Sequence, residues 1–246
     1  MNILTWNMQG ATSSGESKWN TDVRRWFLAG RDVVLLQECG ATPGSSQQVV
    51  APGFLPGRAV PGGVAWTLNS YNMGTTSRPN VIYLFWIHSD PGGNRCNLGI
   101  AARVMPTSLI YIANPVVGGR PAIGARFAYG VGHVDIYTLH AFSGGGGDAP
   151  GLLNGIYGTS ATWFVGGDFN RFPNTWAPAP AMGGLPLAPG VTGVPAGISL
   201  CPHGNVATHP GTGTNLDYAF KTGASVNGTV EQTYVASDHY GVTYVV

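Results

Sequence analysis

Acidic side chains of this chain are concentrated at the ends of predicted β-strands. Four of the 11 acidic residues lie there beside other polar residues: Glu38, Asp168, Asp217 and Asp238. A carboxylate at the end of an apolar strand is costly unless it binds a cation or accepts hydrogen bonds. Because only 9% of the residues are charged, these acids are candidates for function rather than for a solvated surface. Carboxylate oxygens suit Mg²⁺ or Ca²⁺ better than zinc.

Amide and imidazole side chains occupy similar positions. Asn7 ends the first predicted strand, Asn170 lies just after another, His140 ends a third and His239 directly precedes the last. Since imidazole exchanges protons near neutral pH, two histidines at such a polar edge indicate acid–base catalysis. The other four histidines lack such a context and are interpreted as structural: His88, His133, His203 and His209.

A strand, a helix and a buried strand would position the first of these side chains. Residues 2–8 are short, apolar and β-prone, and residues 32–38 form a strand that is apolar on both faces. Between them, Ser13 and Glu16 have the spacing of a capping box, which predicts a helix that ends near Gly30. This order is the start of an α/β layer.

The rest of the chain is rich in short strands. A second helix begins at Asp148, and residues 40–62 and 172–214 are rich in Gly and Pro and are predicted to be mostly irregular. No internal repeat or linker divides residues 1–246, so we expect a single domain. The remaining predicted strands are 64–68, 80–87, 97–103, 108–113, 122–129, 133–140, 162–167, 216–220, 225–230 and 240–246.

Composition excludes several classes of protein. No run approaches the roughly 18 apolar residues that a membrane span needs. A net charge of +1 gives no broad attraction to nucleic acid or anionic lipid, so phosphate recognition would need a few placed residues. The spacing of Cys39, Cys96 and Cys201 excludes a cysteine zinc site and leaves open one disulfide or three free thiols. Residues 1–7 lack the features of a secretory leader, so a secreted form would have lost it.

Six ordered motifs resemble the endonuclease/exonuclease/phosphatase superfamily of DNase I type. Further segments are similar to the catalytic B subunits of cytolethal distending toxins, among them TSRP (76–79), GRPAIG (119–124) and GGDFNRFP (166–173). The resemblance implies an α/β fold: a four-layer sandwich of two mixed β-sheets packed face to face, with outer helices. The six motifs are Trp6-Asn7, Gln37-Glu38, His140, Gly167-Asp168-Phe169-Asn170, Leu216-Asp217-Tyr218 and Ser237-Asp238-His239.

The resemblance also implies a metal site and a general base. Glu38, with help from Asn7, would bind a divalent cation, Mg²⁺ first and Ca²⁺ or Mn²⁺ as alternatives. His239 would take a proton from the attacking water and would be oriented by Asp217. Asp238 would support the site beside His239.

Five further residues would contact the substrate. Asp168 and Asn170 would position the phosphate, the cation or the water, and His140 would donate a hydrogen bond or a proton to the scissile phosphate. Arg78 and Arg120 match arginines that contact substrate phosphates in the toxin subunits, in accord with the bidentate contacts that guanidinium makes to phosphate.

The implied function is Mg²⁺-dependent nicking of DNA by the catalytic subunit of a secreted toxin. Such a subunit would act in the nucleus of a target cell, and its partners would be DNA and toxin delivery or binding subunits. One alternative is a phosphoinositide phosphatase on the same scaffold, although Tyr218 stands after Asp217 where that branch has a different segment. The other alternative is a catalytically inactive binding module, against which the intact set of polar residues argues.

One position departs from the digestive nucleases of the superfamily. There, the histidine that matches His140 pairs with a glutamate, whereas the matching position here is Asn80 or Val81. Without an anionic partner His140 should be less readily protonated, which predicts a slow nickase.

Overall fold

A computed structural model describes residues 1–10, 16–49, 60–61, 63–90, 92–176, 197–233 and 236–246. Strands are the main regular secondary structure among these residues. In chain order the strands are β1 (Asn2–Asn7), β2 (Val33–Gln37), β3 (Gln47–Gln48), β4 (Trp66–Asn72), β5 (Val81–Ile87), β6 (Leu98–Ala102), β7 (Ser108–Ile112), β8 (Ala122–Tyr129), β9 (Gly132–His140), β10 (Trp163–Asp168), β11 (Ile198–Cys201), β12 (Asp217–Thr222), β13 (Thr229–Glu231) and β14 (Gly241–Val245).

The strands form two mixed sheets. The first has the order β13-β14-β1-β2-β6-β5-β4-β3, and the second has the order β11-β12-β10-β9-β8-β7. Each sheet holds one parallel pair in its interior, β1 with β2 and β10 with β9, and the other pairs are antiparallel. Each parallel pair therefore has antiparallel neighbours on both sides.

The main core lies between the sheets. Alternate residues along each strand point to opposite faces, and the inward residues Ile3 and Leu35 of the first sheet join Ile136 and Phe164 of the second in one buried cluster. Burial of these side chains removes the apolar surface of both sheets from water, which is the main stabilising contribution to such a packing.

Helices cover the outer faces. A continuous helical segment runs through α1 (Glu16–Lys18), a π-helical stretch (Trp19–Val23) and α2 (Arg24–Leu28), and its Trp19 and Phe27 pack on the outward residues Leu4 and Leu36. Helix α3 (Ala149–Tyr157) similarly packs Leu152, Leu153 and Ile156 on the second sheet. The arrangement confirms the predicted four-layer α/β sandwich.

Two strands lie in segments that the sequence predicts to be irregular. Strand β3 has two exposed glutamines at the edge of the first sheet, and β11 lies at the edge of the second sheet. Neither carries an extended apolar alternation, because an edge strand is only partly covered. Strand β4 also extends further than predicted, and β13 begins later. Ser13 of the predicted capping box, residues 50–59 and 62, and residues 177–196 lie outside the described residues.

Among the described helices, none has the length and apolar character needed to cross a membrane. Cys39, Cys96 and Cys201 are free thiols, which settles the alternatives that the sequence leaves open.

Candidate active site

The polar residues predicted to do chemistry meet at one edge of the sandwich. Asn7 aligns with Gln37 at the ends of the parallel strands β1 and β2, and His140 aligns with Asp168 at the ends of β9 and β10. Asp168 also aligns with Asp217 at the start of β12. Parallel strands end at the same edge of a sheet, so the fold itself brings these side chains together.

Strand alternation turns these residues toward the space between the sheets. His140 has the same phase as the core residue Ile136, and Asp168 has the same phase as Phe164. Apolar side chains fill the middle of the inter-sheet layer, and polar side chains replace them where the strands end. The site is therefore a polar continuation of the core, which explains why its side chains are nearly all buried.

The tightest contact of the site joins His239 to Asp217. The Nδ1 atom of His239 lies 2.7 Å from Asp217 Oδ2, and Asp217 is fully buried. Burial alone would lower the pKa of His239, but the charge of Asp217 and its hydrogen bond raise that pKa to about 9. The backbone of His239 is fixed as well, since its carbonyl accepts a hydrogen bond from Trp6 Nε1 at 3.1 Å.

Asp168 lies at the centre of the site. Its Oδ2 accepts a hydrogen bond of 3.0 Å from Asn7 Nδ2, and its Oδ1 accepts one of 2.8 Å from the backbone N–H of Asn170. Burial raises the pKa of Asp168 to about 7, and the charge of Asp217 adds to the increase. A carboxylate in this position gains strongly from a nearby cation.

Glu38 reaches the site through an unusual backbone conformation. Its φ is 48°, in the left-handed region, which interrupts the alternation of β2. Gln37 keeps the inward position and donates a 2.7 Å hydrogen bond to Thr138 Oγ1 in the opposite sheet. Glu38 Oε2 forms an ion pair of 2.9 Å with Arg95, and Glu38 Oε1 lies 3.5 Å from Asn7 Nδ2.

Glu38 and Asp168 together fit a hard divalent cation. The amide of Asn7 links the two carboxylates, and Glu38 retains 8% exposure toward the pocket. The two carboxylates converge in a mostly buried site, where Arg95 is paired with Glu38, and oxygen donors of this kind are those that Mg²⁺ and Ca²⁺ prefer. The donor set therefore fits a divalent cation that prefers oxygen ligands.

His140 faces both carboxylates without a hydrogen bond to either. Its Nε2 lies 3.7 Å from Glu38 Oε1 and 3.7 Å from Asp168 Oδ2, and its Nδ1 has no partner among the described residues. Burial lowers the pKa of His140 to about 3, with Arg120 as the next largest cause. Burial and the charge of Arg120 therefore favour the neutral form of the ring.

These groups border an open pocket of about 280 Å³. Asn7 and Asp217 lie behind its lining and hold the lining residues in place, and Asp238 lies beside His239. Arg78 is exposed in the turn between β4 and β5 and is not part of the lining. The predicted residues that line the pocket are Glu38, Arg120, His140, Asp168, Asn170 and His239.

Sequence reasoning did not identify several lining residues. His209, interpreted from sequence as structural, lies with its Nε2 3.5 Å from Asp238 Oδ2 and its ring 4.6 Å from that of His239. Arg95 and Cys96 line the pocket from the turn before β6. All three residues lie in connections between strands, where neither periodicity nor a motif marks them, so no sequence signal points to them.

Comparisons with known proteins bear on the family and the fold of the chain. A family model described as the endonuclease/exonuclease/phosphatase family matches residues 4–239. The chain is 35% identical to a homolog of the cytolethal distending toxin B subunit from Salmonella typhi over 184 residues, which are 70% of this chain and 64% of that protein. It is 32% identical to the B subunit of the Escherichia coli cytolethal distending toxin over 186 residues, with the same coverage of 70% and 64%.

Solved structures show the same architecture. The crystal structure of the Haemophilus ducreyi cytolethal distending toxin superposes with a TM-score of 0.79 at 27% identity, covering 99% of this chain and 97% of that chain. The alignments with the two curated relatives, by contrast, cover 64% of their length.

Proposed function

The chain belongs to the endonuclease/exonuclease/phosphatase family, and from this premise we propose that it is a Mg²⁺-dependent phosphodiesterase that nicks DNA. We further propose that residues 1–246 form a single catalytic domain, the active subunit of a secreted toxin that works with delivery or binding subunits and acts in the nucleus of a target cell. The similarity to toxin B subunits from Salmonella typhi and Escherichia coli supports this assignment.

The observation that carries the proposal is the Asp217–His239 pair. An imidazole held at 2.7 Å by a buried carboxylate keeps its Nδ1 protonated. Because Asp217 raises the pKa of His239 to about 9, Nε2 acts as the base once it has lost its own proton, which a cation bound nearby would favour. In the proposed reaction Nε2 of His239 accepts the proton of a water molecule as that water attacks phosphorus. Asp217 fixes the ring and stabilises the imidazolium that forms.

The substrate phosphate would lie in the pocket opposite His239. Arg120 and Arg95 line that side and supply bidentate donors to phosphate oxygens. Asp168 and Asn170 position the attacking water and the phosphate. His140, a neutral ring with its Nε2 toward the pocket, donates a hydrogen bond to a phosphate oxygen or to the leaving oxygen.

Glu38 and Asp168, held together by Asn7, would bind the divalent cation. A bound Mg²⁺ neutralises negative charge that develops on the phosphate during displacement. Arg95 is paired with Glu38 and would move its guanidinium toward the phosphate when the ion binds.

The decisive experiment measures plasmid nicking with Mg²⁺ and with EDTA, beside release of phosphate from phosphoinositides. We expect nicking with Mg²⁺, none with EDTA, and little phosphate release. His239→Ala should lower nicking roughly a hundredfold to ten-thousandfold, the usual range for loss of a general base. Phosphate release without nicking would establish the phosphatase alternative, and the absence of both activities would establish a binding module.

A second experiment tests whether Glu38 binds the metal ion. Glu38→Gln preserves size but removes the charge that attracts a hard cation, so nicking should fall and should recover in part at high Mg²⁺. An Mg²⁺ titration identical to that of the wild type would contradict the role of Glu38.

A further inference from the structure

Three side chains at the rim of the pocket converge on a common point. These are His209, Asp238 and His239, here called the histidine site. One ligand atom from each lies within 4.8 Å of the other two. His209 Nε2 is 3.5 Å from Asp238 Oδ2, and His239 Nε2 is 3.9 Å from Asp238 Oδ1. Ligand atoms around a tetrahedral zinc ion with bonds of about 2.0–2.1 Å are about 3.3 Å apart, so small side-chain shifts would close the cluster around an ion.

Both imidazoles are oriented through the nitrogen that a metal would not use. His239 Nδ1 lies 2.7 Å from Asp217 Oδ2, and His209 Nδ1 lies 2.8 Å from Thr212 Oγ1. Metal-binding histidines almost always donate their second ring N–H to a carboxylate, a carbonyl or water, which fixes the ring and its tautomer. The two imidazole rings of the histidine site are therefore held in fixed orientations by hydrogen bonds.

When an ion displaces the Nε2 proton of His239, the remaining protons can be placed so that both Nε2 atoms carry lone pairs. Thr212 Oγ1 lies 2.7 Å from Thr214 Oγ1, so the Thr212 hydroxyl can donate to Thr214 and accept the N–H of His209 Nδ1. His209 Nε2 is then unprotonated and faces Asp238. The two rings meet edge to face, with an interplanar angle of 85°, so that they do not stack.

We propose that the histidine site binds a borderline transition-metal ion of the Zn²⁺ type. Two imidazole nitrogens and one carboxylate form a donor set that zinc favours, whereas Mg²⁺ prefers oxygen ligands. The site shares no ligand with the pair Glu38 and Asp168, although Asp168 Oδ2 lies 3.9 Å from His239 Nε2. Asp238 is 41% exposed, so an ion can enter from solvent, and one coordination position stays open toward the pocket.

Zinc at the histidine site would inhibit the reaction. The ion takes the lone pair of His239 Nε2, the atom proposed to accept the proton of the attacking water. This inhibitory consequence depends on the proposed function, whereas the binding of zinc does not. His209 is then the ligand that allows trace zinc to bind beside His239 and to inhibit a Mg²⁺-dependent enzyme.

Direct binding is measured on the whole chain after treatment with EDTA and dialysis. ZnCl₂ is titrated by calorimetry and by competition with a chromophoric chelator, in excess Mg²⁺. We expect one zinc ion per chain for the wild type, and at least tenfold weaker binding for His209→Ala. Thr212→Val removes only the partner of His209 Nδ1 and should weaken binding about tenfold to a hundredfold. His133→Ala, an exposed histidine at the start of β9, is the matched control and should bind as the wild type does.

A rival cluster of Glu38, Cys96 and His140 also offers ligand atoms within 4.8 Å of one another, so Cys96→Ala is included. Zinc binding that depends on Cys96 and not on His209 would overturn the proposal, as would equal binding by wild type and His209→Ala. In the nicking assay, each variant is compared with its own zinc-free rate, and His209→Ala should need at least tenfold more zinc for inhibition. Zinc binding without nicking would refute the proposed function and leave the histidine site standing.

Discussion

At the scale of single residues, Asp217 and Asp238 differ sharply in their relation to His239. Asp217 is fully buried and lies 2.7 Å from Nδ1, whereas Asp238 is 41% exposed and lies 3.9 Å from Nε2. We expect Asp217→Asn to lower kcat/KM for nicking by roughly a hundredfold to ten-thousandfold, because the imidazolium loses its buried counter-charge. Asp238→Asn, the isosteric control, should cost less than tenfold. Equal losses in the two variants would show that His239 is not oriented by Asp217.

The raised pKa of Asp168 predicts how the stability of the protein depends on pH. Its folded-state pKa of about 7 exceeds the value of about 3.9 expected in the unfolded chain. The stability that this shift contributes is therefore present below about pH 4 and is lost as pH rises through 7. In EDTA, Asp168→Asn should gain in Tm relative to the wild type between pH 5 and pH 8, since an amide does not ionise.

The Asn side chain can accept only one of the two hydrogen bonds that Asp168 receives from Asn7 and Asn170, so the substitution also changes Tm by an amount that does not depend on pH. The quantity to measure is therefore how the Tm difference between the variant and the wild type changes with pH. Mg²⁺ should stabilise the wild type more than the variant at pH 8. A Tm difference that stays constant with pH would contradict the raised pKa.

At the scale of elements, the pairing of β10 with β9 sets the spacing of the site. A Cβ on Gly167 would lie 2.2 Å from the backbone oxygen of Leu139, so only glycine allows the strands to approach this closely. We expect Gly167→Ala to lower the free energy of unfolding by about 1–3 kcal/mol and to reduce nicking, because Asp168 and His140 are the next pair in register.

The control for this variant is Gly132→Ala at the start of β9, where a Cβ would meet nothing within 4 Å. Its stability should change by less than about 0.5 kcal/mol. Chemical denaturation gives both values, and a neutral Gly167→Ala would mean that the two strands can separate without loss.

The same elements show what sequence could and could not predict. Alternation and strand-end polarity placed His140, Asp168 and Asp217 correctly, because regular strands carry their side chains in a fixed phase. Strand-end polarity also marks Glu38, but Glu38 reaches the pocket only through its left-handed backbone, which periodicity does not predict. Arg95 and His209 enter from turns, the edge strand β3 is exposed, and β11 is a short strand with only its two end residues buried, so no local pattern predicted them.

At the scale of the whole molecule, a net charge of +1 over 246 residues leaves DNA binding to individual arginines. Arg120 lines the pocket, whereas Arg78 is exposed outside it. We expect Arg120→Ala to raise KM for plasmid DNA and for a short phosphodiester alike. Arg78→Ala should affect plasmid DNA only, since it would contact a phosphate away from the scissile bond.

The salt dependence of kcat/KM provides the measurement. On plasmid DNA each substitution should reduce the slope of log kcat/KM against log salt by about one, the value for a single lost phosphate contact. An effect of Arg78→Ala on the short phosphodiester would place this arginine at the scissile phosphate instead.

The division of the site between two sheets affects how catalytic activity depends on temperature. Asn7 and Glu38 belong to one sheet, while His140 and Asp168 belong to the other, and the sheets approach so closely at Gly166 that a Cβ there would lie 3.1 Å from Thr5 and Leu35 side chains. We expect thermal expansion of this layer to lengthen the 3.0 Å hydrogen bond between Asn7 and Asp168 before any strand unpairs. Catalysis should therefore decline several degrees below the melting transition, and pressure, which compresses the layer, should restore part of the rate.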